Sequence, residues 1–468
     1  MKEVTIKPTT RMPGRAKITI HLDDSGKVAD SRFQITEFRG FEKFCEGRMF
    51  WEMPLITTRI CGICPVSHHL ASVKACDNLL NLEIPPAAKK LRELLLVAEY
   101  LSSHAVHFFH FASPDFVLGP DSDPEQRNIV SMLKTNPEIT DKAGQLRMLS
   151  RIMIERLGGS SIQPVTAIPG GMSKPLSLED RSFLLQQTET VLDLVRFALD
   201  TGKGFLDKYA DFGDAIETKY LSLTKEGNLE LYEGNLRLIS AQGETIEDFD
   251  SNEYLNYIGE RVEDWSYAKF AYYLKEGYHN GIYRCGPLAR LNVARKIDTP
   301  EAGKEHGEFK KLGDGKPIHR TIYYHYARLI ELLYAAERAK ELLEDEEIVN
   351  PKVRVRATRG PGEGIGVVEA PRGVLIHHYV ADEAGKLKRA NLVVATTNNN
   401  QAINRTLQKV AEECITGDKL TEAALNKVEM AIRCYDPCLS CSTHMIGQMP
   451  LEIILFDSQD HQLDLIRR

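Results

Sequence analysis

Two Cys-x-x-Cys pairs, near opposite ends of the sequence, are its clearest chemical feature. Cys61 and Cys64 form the first pair, and Cys438 and Cys441 form the second. Thiolates bind soft transition metals, and four of them supply a complete ligand set. Structural zinc knuckles usually keep their pairs within a few tens of residues. The wide separation therefore favours a catalytic nickel or iron site, with structural zinc and two unrelated pairs as the alternatives.

Residues beside each pair are suited to position the sulfurs. Pro65 follows Cys64 and predicts a helix whose N-terminal N–H groups stabilise the Cys64 thiolate. Gly62, inside the first pair, permits a tight turn and leaves room for a metal. Asp436 and Pro437 form a cap and first-turn signal before the second pair. Each pair is therefore expected where a turn leads into a helix.

The composition limits the classes to which the protein can belong. The chain has 468 residues, of which 43% are hydrophobic and 27% charged, as in ordinary globular proteins. With a net charge of −7 and no basic stretch, the chain is expected to be a poor binder of nucleic acids, whose phosphates need clustered Lys and Arg. It has no run of about 18 apolar residues for a membrane span and no export signal, so we expect no membrane insertion and a cytoplasmic location. Nine cysteines, an odd number, do not form a disulfide framework in that compartment.

Hydrophobic periodicity predicts an α+β fold. Alternating residues predict an antiparallel β-meander over about 1–40, and further antiparallel strands are expected within 352–400. Apolar residues at three-and-four spacing predict long, buried helices between about 67 and 345. The helices are expected over 87–112, 146–157, 178–209, 321–343, 401–413 and 421–432. The polar, glycine-containing segment 298–316 is predicted as a surface loop.

The motifs around the cysteines resemble the large subunit of nickel–iron hydrogenases. They are R-x-C-G-x-C-x-x-x-H from Arg59 and D-P-C-x-x-C-x-x-H from Asp436, and the runs 38–44, 286–290 and 369–373 agree with the family. The resemblance covers essentially the whole chain. Its form is similar to the cytoplasmic bidirectional group, which includes NAD-linked and heterodisulfide-reductase-linked enzymes. It implies the large-subunit hydrogenase fold as a single catalytic domain over 1–444.

This resemblance implies reversible cleavage of H₂ at a Ni–Fe(CO)(CN)₂ centre. Cys61 and Cys438 would be terminal nickel ligands, and Cys64 and Cys441 would bridge nickel to iron. Thiolates donate electron density to nickel, carbon monoxide and cyanide keep iron low-spin, and H₂ would split into hydride and proton at the open edge.

Further site residues follow from the matching motifs. Arg372 would cover the open metal face, Pro371 and Thr396 would line the pocket of the diatomic ligands, and Asp115 and Asp436 would hold Arg372 by charge-assisted hydrogen bonds.

Outside this group, His68 would hydrogen-bond a bridging sulfur, and Glu42 and His444 would contribute to a Mg²⁺ site. Arg59 would support the site or a partner interface. The three remaining histidines near these motifs are expected to be structural: His69, His377 and His378.

The chain has no dinucleotide-binding fingerprint and no further cysteine cluster, so electrons must leave through partners. The resemblance implies a small subunit with iron–sulfur clusters and a flavin/NAD(P) diaphorase-type module. A hydrogenase-like H₂ sensor and a metal-free scaffold subunit of the complex I type are the alternatives. The presence of all four metal cysteines argues against the scaffold.

The sequence departs from the family pattern at the proton exit. Pro13 and Arg15 stand where the family has glutamate and histidine, and that glutamate takes the proton from the cysteine matching Cys438. Because proline cannot carry a proton, water or another carboxylate is expected to replace it, with Glu363 and Glu369 as candidates.

The sequence also continues past His444, where the family is cut once nickel is loaded. Residues 445–468 include the apolar run 451–456 and are expected to be a C-terminal extension that a maturation endopeptidase removes.

Overall fold

The fold is known from a computed structural model, which describes residues 2–6, 10–25, 27–37, 40–123, 125–210, 212, 215–358, 360–415, 421–442, 452–456 and 462–467. Helices occupy about half of the chain. The α-helices are α1 (Phe41–Cys45), α2 (Met53–Thr57), α3 (Pro65–Leu79), α4 (Pro86–Val106), α5 (Ser113–Val117), α6 (Ile129–Thr135), α7 (Pro137–Gly158), α8 (Leu178–Tyr209), α9 (Gly277–Asn280), α10 (Pro287–Val293), α11 (Pro300–Lys311), α12 (Tyr323–Glu344), α13 (Ala395–Cys414), α14 (Glu422–Cys434) and α15 (Leu439–Ser442). A π-helical turn, His107–Ala112, extends α4, and short 3₁₀ turns lie at Phe50–Glu52, Ser251–Asn256, Leu274–Glu276 and Glu346–Val349.

The strands form several small sheets rather than one large one. They are β1 (Lys2–Ile6), β2 (Ala16–Leu22), β3 (Val28–Ile35), β4 (Ala167–Ile168), β5 (Gly171–Met172), β6 (Lys219–Lys225), β7 (Asn228–Leu229), β8 (Asn235–Ile239), β9 (Thr245–Asp250), β10 (Ile258–Val262), β11 (Lys269–Tyr273), β12 (Tyr283–Arg284), β13 (Glu363–Ala370), β14 (Gly373–Ala381), β15 (Leu387–Val393), β16 (Glu452–Phe456) and β17 (Gln462–Arg467). The sheets run β1-β2-β3, β4-β5, β12-β6-β8-β9 with β7 on β6, β10-β11, β13-β14-β15 and β16-β17. All pairs are antiparallel except β12 with β6. The predicted α+β class is confirmed.

Long helices build the centre of the molecule. Helix α12 packs against α8 and α4, and α7 packs against α4 and α8. The apolar residues of α4 occur on several of its faces, and Leu94, Leu95 and Leu101 are fully buried. Close contact between α8 and α12 depends on Gly202, because a Cβ there would lie 2.1 Å from a methyl carbon of Leu329. The helices therefore form one interior against which both cysteine segments pack.

Helix α3, which starts directly after Cys64, lies on strands β13 and β14. Two glycines of β13 face the backbone of the helix. A Cβ on Gly364 would lie 2.2 Å from Ala75 O, and a Cβ on Gly366 would lie 2.0 Å from Ala71 O. Only glycine permits this close approach. The packing fixes the first cysteine segment, at the start of α3, against the sheet formed by β13, β14 and β15.

The structure corrects three details of the predicted elements. Helix α7 begins at Pro137, nine residues before its predicted start. Segment 298–316 contains helix α11 instead of a continuous loop, with Ala302, His306 and Phe309 buried on one face. Helix α13 begins at Ala395, six residues before its predicted start, and so includes Thr396. The structure has a strand, β16, within the predicted apolar run of the C-terminal extension. Among the described residues, no helix is both long and apolar enough to cross a lipid bilayer.

Candidate metal centre

The first cysteine pair lies in the turn between α2 and α3. Cys64 is the residue before the helix, and Pro65 is its first residue, as predicted. The backbone N–H groups of Ile63 and Cys64 both donate to Cys61 Sγ at 3.3 Å. These donors and the N-terminus of α3 favour thiolate at this turn.

The second pair lies at α15, with Cys438 directly before the helix and Cys441 within it, and neighbouring segments hold both in place. Cys438 N donates to Thr396 Oγ1 at 2.9 Å, and Leu439 N donates to Pro13 O at 3.0 Å. Asp436, two residues before Cys438, has a φ of +53°, in the left-handed region that aspartate tolerates better than most residues. The sharp change of direction at Asp436 lets α14 end and the second pair turn towards the first.

The four sulfurs converge. The Sγ atoms are 3.4 Å apart for Cys61 and Cys438, 3.5 Å for Cys64 and Cys441, and 2.8 Å for Cys438 and Cys441. All four lie within 4.8 Å of one another, and all four residues are buried. Segments from both ends of the chain therefore form one cluster of soft donors.

The thiols of this cluster cannot ionise independently. Hydrogen bonds from Cys438, Cys441 and Cys64 hold the pKa of Cys61 well below its usual range. The pKa of Cys64 is raised well above its usual range, first by its contact with Cys438, and burial raises the pKa of Cys441. Four buried thiolates this close repel one another unless a cation balances their charge. The donor set thus fits a soft metal, which would hold all four sulfurs ionised.

Arg372 extends over the second cysteine segment. Its Nε donates to Asp436 O at 2.8 Å, and its Nη2 donates to Asp436 Oδ1 at 3.0 Å, so the predicted pair with Asp436 is present. Both residues are buried. Within the described parts of the chain, Arg372 Nη1 and Asp436 Oδ2 have no hydrogen-bond partner. A donor and an acceptor are thus left unsatisfied beside the sulfurs, where a bound group would meet them.

Asp115 does not hold Arg372, contrary to the sequence-based expectation. Its Oδ2 accepts from Arg433 Nε at 2.9 Å, its Oδ1 accepts from Arg433 Nη2 at 3.1 Å, and it also pairs with Arg11. The π-helical turn ahead of α5 directs Asp115 towards the last turn of α14, where Arg433 lies. Asp115 therefore links the N-terminal segment, through Arg11, to α14, the helix that precedes the second cysteine pair.

A buried hydrogen-bonded series leads away from His68. His68 Nδ1 lies 3.1 Å from His377 Nε2, and His377 Nδ1 lies 2.7 Å from Tyr379 Oη, which donates to Ser72 Oγ at 2.9 Å. Burial lowers the pKa of His68 to about 4, although the nearby Cys61 opposes this effect. His68 is therefore neutral, and His377 helps to fix its ring.

Of the remaining histidines, two have the hydrogen bonds expected of structural residues. His69 contacts Pro54 O at 2.8 Å, and His378 contacts Tyr254 Oη at 3.0 Å and Glu363 Oε1 at 2.7 Å.

Glu42 lies in a separate polar group on the edge of β15. Its Oε1 accepts from Lys269 Nζ at 2.7 Å and from Leu392 N at 2.8 Å. The same ammonium group reaches Asn391 Oδ1 at 2.7 Å and Glu260 Oε2 at 3.1 Å. Burial raises the pKa of Glu42, and Lys269 opposes this rise. His444, the predicted second contributor, lies outside the described residues.

Sequence reasoning missed the network that supports residues 370–372. Arg290 donates to Glu331 Oε1 at 2.5 Å, Glu331 Oε2 at 2.7 Å and Glu369 Oε2 at 2.6 Å. It also donates to Ala370 O at 3.0 Å and to Pro371 O at 2.8 Å. All five N–H groups of the guanidinium are thus used. Arg290 belongs to the run 286–290, but that motif alone does not reveal its partners.

Comparisons with known proteins agree with this geometry. Residues 39–147 and 219–444 match the nickel-dependent hydrogenase family, and residues 3–38 match a family described as HoxL-like. The vhu F420-non-reducing hydrogenase of Methanococcus voltae has a subunit that is 47% identical over 88% of this chain and 99% of its own length.

Other relatives match over almost the whole chain. The NAD-reducing hydrogenase HoxS subunit beta of Cupriavidus necator is 39% identical over 99% of both chains. The crystal structure of an NAD⁺-reducing [NiFe]-hydrogenase in the H₂-reduced state has 40% identity and a TM-score of 0.92, covering 95% of this chain and 100% of its own. The convergence of the four cysteines and these similarities lead to one conclusion: the chain belongs to the nickel-dependent hydrogenase family and is a large subunit.

Proposed function

We propose that Cys61, Cys64, Cys438 and Cys441 hold a nickel–iron pair at which H₂ is cleaved reversibly into protons and electrons. The observation that carries this proposal is the convergence of four buried sulfurs from the two ends of the chain. Cys61 and Cys438 would bind nickel, and Cys64 and Cys441 would bind nickel and iron together. When bound, the metal pair would supply the polarisation of H₂ that cleavage requires.

The side chains around the sulfurs orient the site. Thr396 fixes the backbone of Cys438, and Asp436 fixes Arg372. Arg372 places a permanent positive charge beside the sulfurs, because its pKa is raised well above its usual value: burial lowers it, but Asp436 and the cysteines more than offset this effect. This charge stabilises thiolate. Cys438 is assigned as the sulfur that receives the proton when H₂ is cleaved.

The same residues support carbon monoxide and cyanide as ligands of the iron. Cyanide nitrogen accepts hydrogen bonds, and the unsatisfied Nη1 of Arg372 is a buried donor of the kind it requires. Pro371 has no N–H group and presents a compact apolar ring next to Arg372. We assign Arg372, Pro371 and Thr396 to the walls of this pocket.

A magnesium ion is assigned to the polar group around Glu42. Carboxylate and amide oxygens from Glu42, Glu260 and Asn391 are hard donors of the type that Mg²⁺ prefers. Lys269 would then compete with the ion or orient its water shell. His444, which lies outside the described residues, is assigned as a further contributor to this Mg²⁺ site.

Electrons are proposed to pass to a small subunit that carries iron–sulfur clusters and then to a flavin/NAD(P) module. The Cupriavidus relative and the H₂-reduced structure are both named NAD-reducing, which supports a flavin/NAD(P) module as the electron acceptor. The methanogen relative is named F420-non-reducing, so a different acceptor module is the alternative. We place the complex in the cytoplasm and treat residues 1–444 as one catalytic domain.

Residues 445–468 are proposed to be removed by a maturation endopeptidase after the metals are inserted. The match to the family stops at His444. Removal of this segment would let the end of the chain close over the site.

Turnover by the purified complex tests the proposed function. We expect H₂-dependent reduction of a viologen dye and of NAD⁺, and loss of both in Cys438→Ser. Cys414→Ser is the matched control, because Cys414 is half-buried on α13 and outside the cluster. H₂ binding without turnover would instead support the sensor. Mass spectrometry of the active enzyme should find a C-terminus near His444, and an intact Arg468 would refute processing.

A further inference from the structure

Glu99 is a buried carboxyl group next to the first cysteine segment, and none of the roles above uses it. It lies on α4 and is 1% exposed. Its Oε1 accepts from Val66 N at 2.8 Å, and its Oε2 accepts from Ser67 N at 2.9 Å and from the Ser67 hydroxyl. These donors belong to the first turn of α3, directly after Cys64. Glu99 thus reaches the metal-binding turn through backbone and hydroxyl groups.

The charge of Glu99 is not balanced by a cation. Within the described parts of the chain it has no Lys or Arg ion-pair partner, whereas Arg290 pairs with both Glu331 and Glu369. Burial raises the pKa of Glu99 to about 8, although the Ser67 hydroxyl and the two N–H groups oppose the rise. Glu331 is equally buried, but Arg290 keeps its pKa below the usual value. Glu99 can therefore gain and lose a proton near neutral pH, and Glu331 cannot.

A cavity of about 260 Å³ connects Glu99 with both the cysteine turn and the surface. Gly62 and Ile63, which join Cys61 to Cys64, line it together with Glu99. Ile162, 42% exposed, lines it as well, so the cavity is open to solvent. A volume of this size holds several water molecules.

The charged and titratable groups facing Glu99 come from three elements. Arg147 and Arg151 of α7 and His110 of the π-helical turn line the cavity, and Cys61 acts on Glu99 from the cysteine turn. His110 Nδ1 is buried and has no hydrogen-bond partner among the described residues. Burial and Arg147 lower the pKa of His110, so its ring is neutral and can form a hydrogen bond with cavity water.

We propose that Glu99 carries protons between the cysteine-held metal site and solvent. This proposal rests on the proposed function. Oxidation of one H₂ yields two protons and two electrons. The electrons leave through the partner subunit. Each proton in turn leaves a cysteine sulfur of the cluster, which breaks its S–H bond, and forms an O–H bond on the Glu99 carboxylate. That bond then breaks as the proton passes to cavity water, which restores the carboxylate; H₂ production reverses the order.

The other carboxylates that were considered for this role are less suitable. Burial raises the pKa of Glu369 to about 7, against the opposing effect of Arg290. Its carboxylate, however, is held by Arg290 and by the N–H group of Leu223, and it is not among the residues that line the cavity. Glu363 is exposed and pairs with His378. Glu37 accepts from Ser440 Oγ at 3.0 Å, close to the turn of Pro13, and is the competing candidate.

Two isotope reactions of the purified holo-complex test the proposal. Conversion of para-H₂ to ortho-H₂ reports cleavage and re-formation of H–H at the metals, whereas exchange of D₂ with H₂O also requires the proton path. We expect Glu99→Gln to keep para-H₂ conversion and to lose D₂/H₂O exchange by about a hundredfold. Glu99→Asp should restore part of the exchange with an altered pH profile. Glu93→Gln is the matched control, since Glu93 lies on the same helix but pairs with Arg338.

Several outcomes would overturn the proposal. Full exchange in Glu99→Gln would show that protons leave elsewhere, and loss of exchange in Glu37→Gln instead would assign the path to Glu37. Loss of both reactions in Glu99→Gln with nickel retained would indicate a positioning role at α3. If Glu99→Gln fails to bind nickel, the Glu99→Asp variant decides instead. A D₂/H₂O exchange rate with the wild-type pH profile in Glu99→Asp would refute proton transfer through Glu99. A wild-type complex inactive in both reactions would instead reject the proposed function.

Discussion

Replacing Arg290 by lysine should weaken the support of the Arg372 segment while keeping the positive charge. Arg290 is fully buried and uses all five N–H donors, three on Glu331 and Glu369 and two on the carbonyl groups of Ala370 and Pro371. Lysine has at most three donors, which cannot match this planar arrangement. At least two buried acceptors are then left without a partner.

The expected cost follows from the number of lost contacts. Each hydrogen bond to a charged group contributes about 1.5–3 kcal/mol, so losing two lowers the free energy of unfolding by about 3–6 kcal/mol. Denaturant unfolding of the purified chain measures this difference. Arg196→Lys is the control, because Arg196 is 40% exposed on α8 and pairs with Glu301 at the surface; its change should stay below about 1 kcal/mol.

The second assay is H₂ oxidation at equal nickel content. Arg290→Lys should lower it, because the backbone that positions Arg372 loses its anchor on two consecutive carbonyl groups. If Arg290→Lys unfolds like Arg196→Lys and turns over H₂ at the wild-type rate, the network does not support the site and this reasoning is wrong.

Three further predictions concern the packing and electrostatics around the site. Gly366→Ala should destabilise the protein by more than about 2 kcal/mol in denaturant unfolding, since its Cβ would lie 2.0 Å from a backbone oxygen of α3; Gly204→Ala, with nothing within 4 Å, should not. Thr396→Val should leave Cys438 N–H buried without an acceptor, which costs about 1–3 kcal/mol in the same assay and lowers nickel retention on dialysis. Burial raises the pKa of Glu99 to about 8, so the folded state keeps its proton where the unfolded state has lost it. The free energy of unfolding should therefore fall as pH rises from about 4.5 towards 8, and pH-dependent unfolding of Glu99→Gln should lack this part of the slope.

Local patterns predicted the elements that hold the first cysteine pair. Pro65 correctly marked the start of α3, and the apolar stripe of the 178–209 segment gave α8 with its observed bounds. Helix α11 was missed because Gly303 and Gly307 and a polar composition suggested a loop, although three buried residues recur on one face.

The tertiary contacts of the site could not be derived from such patterns. The meeting of Cys61 with Cys438 followed from a family resemblance, because no local periodicity relates residues so far apart in sequence. Asp115 was assigned to Arg372 for the same reason, but in the structure its carboxylate reaches Arg433. Burial decides the behaviour of Glu99, and a lone glutamate in a helical stripe does not reveal it.

Four sulfurs from the two ends of the chain are proposed to hold one nickel–iron pair. Metal analysis of the purified complex, combined with infrared spectroscopy, is the decisive test. We predict nickel and iron in equal amounts in the large subunit, carbonyl and cyanide stretching bands, and loss of nickel in Cys61→Ser and Cys438→Ser alike. Zinc alone in the cluster, or nickel retained by both variants, would contradict it.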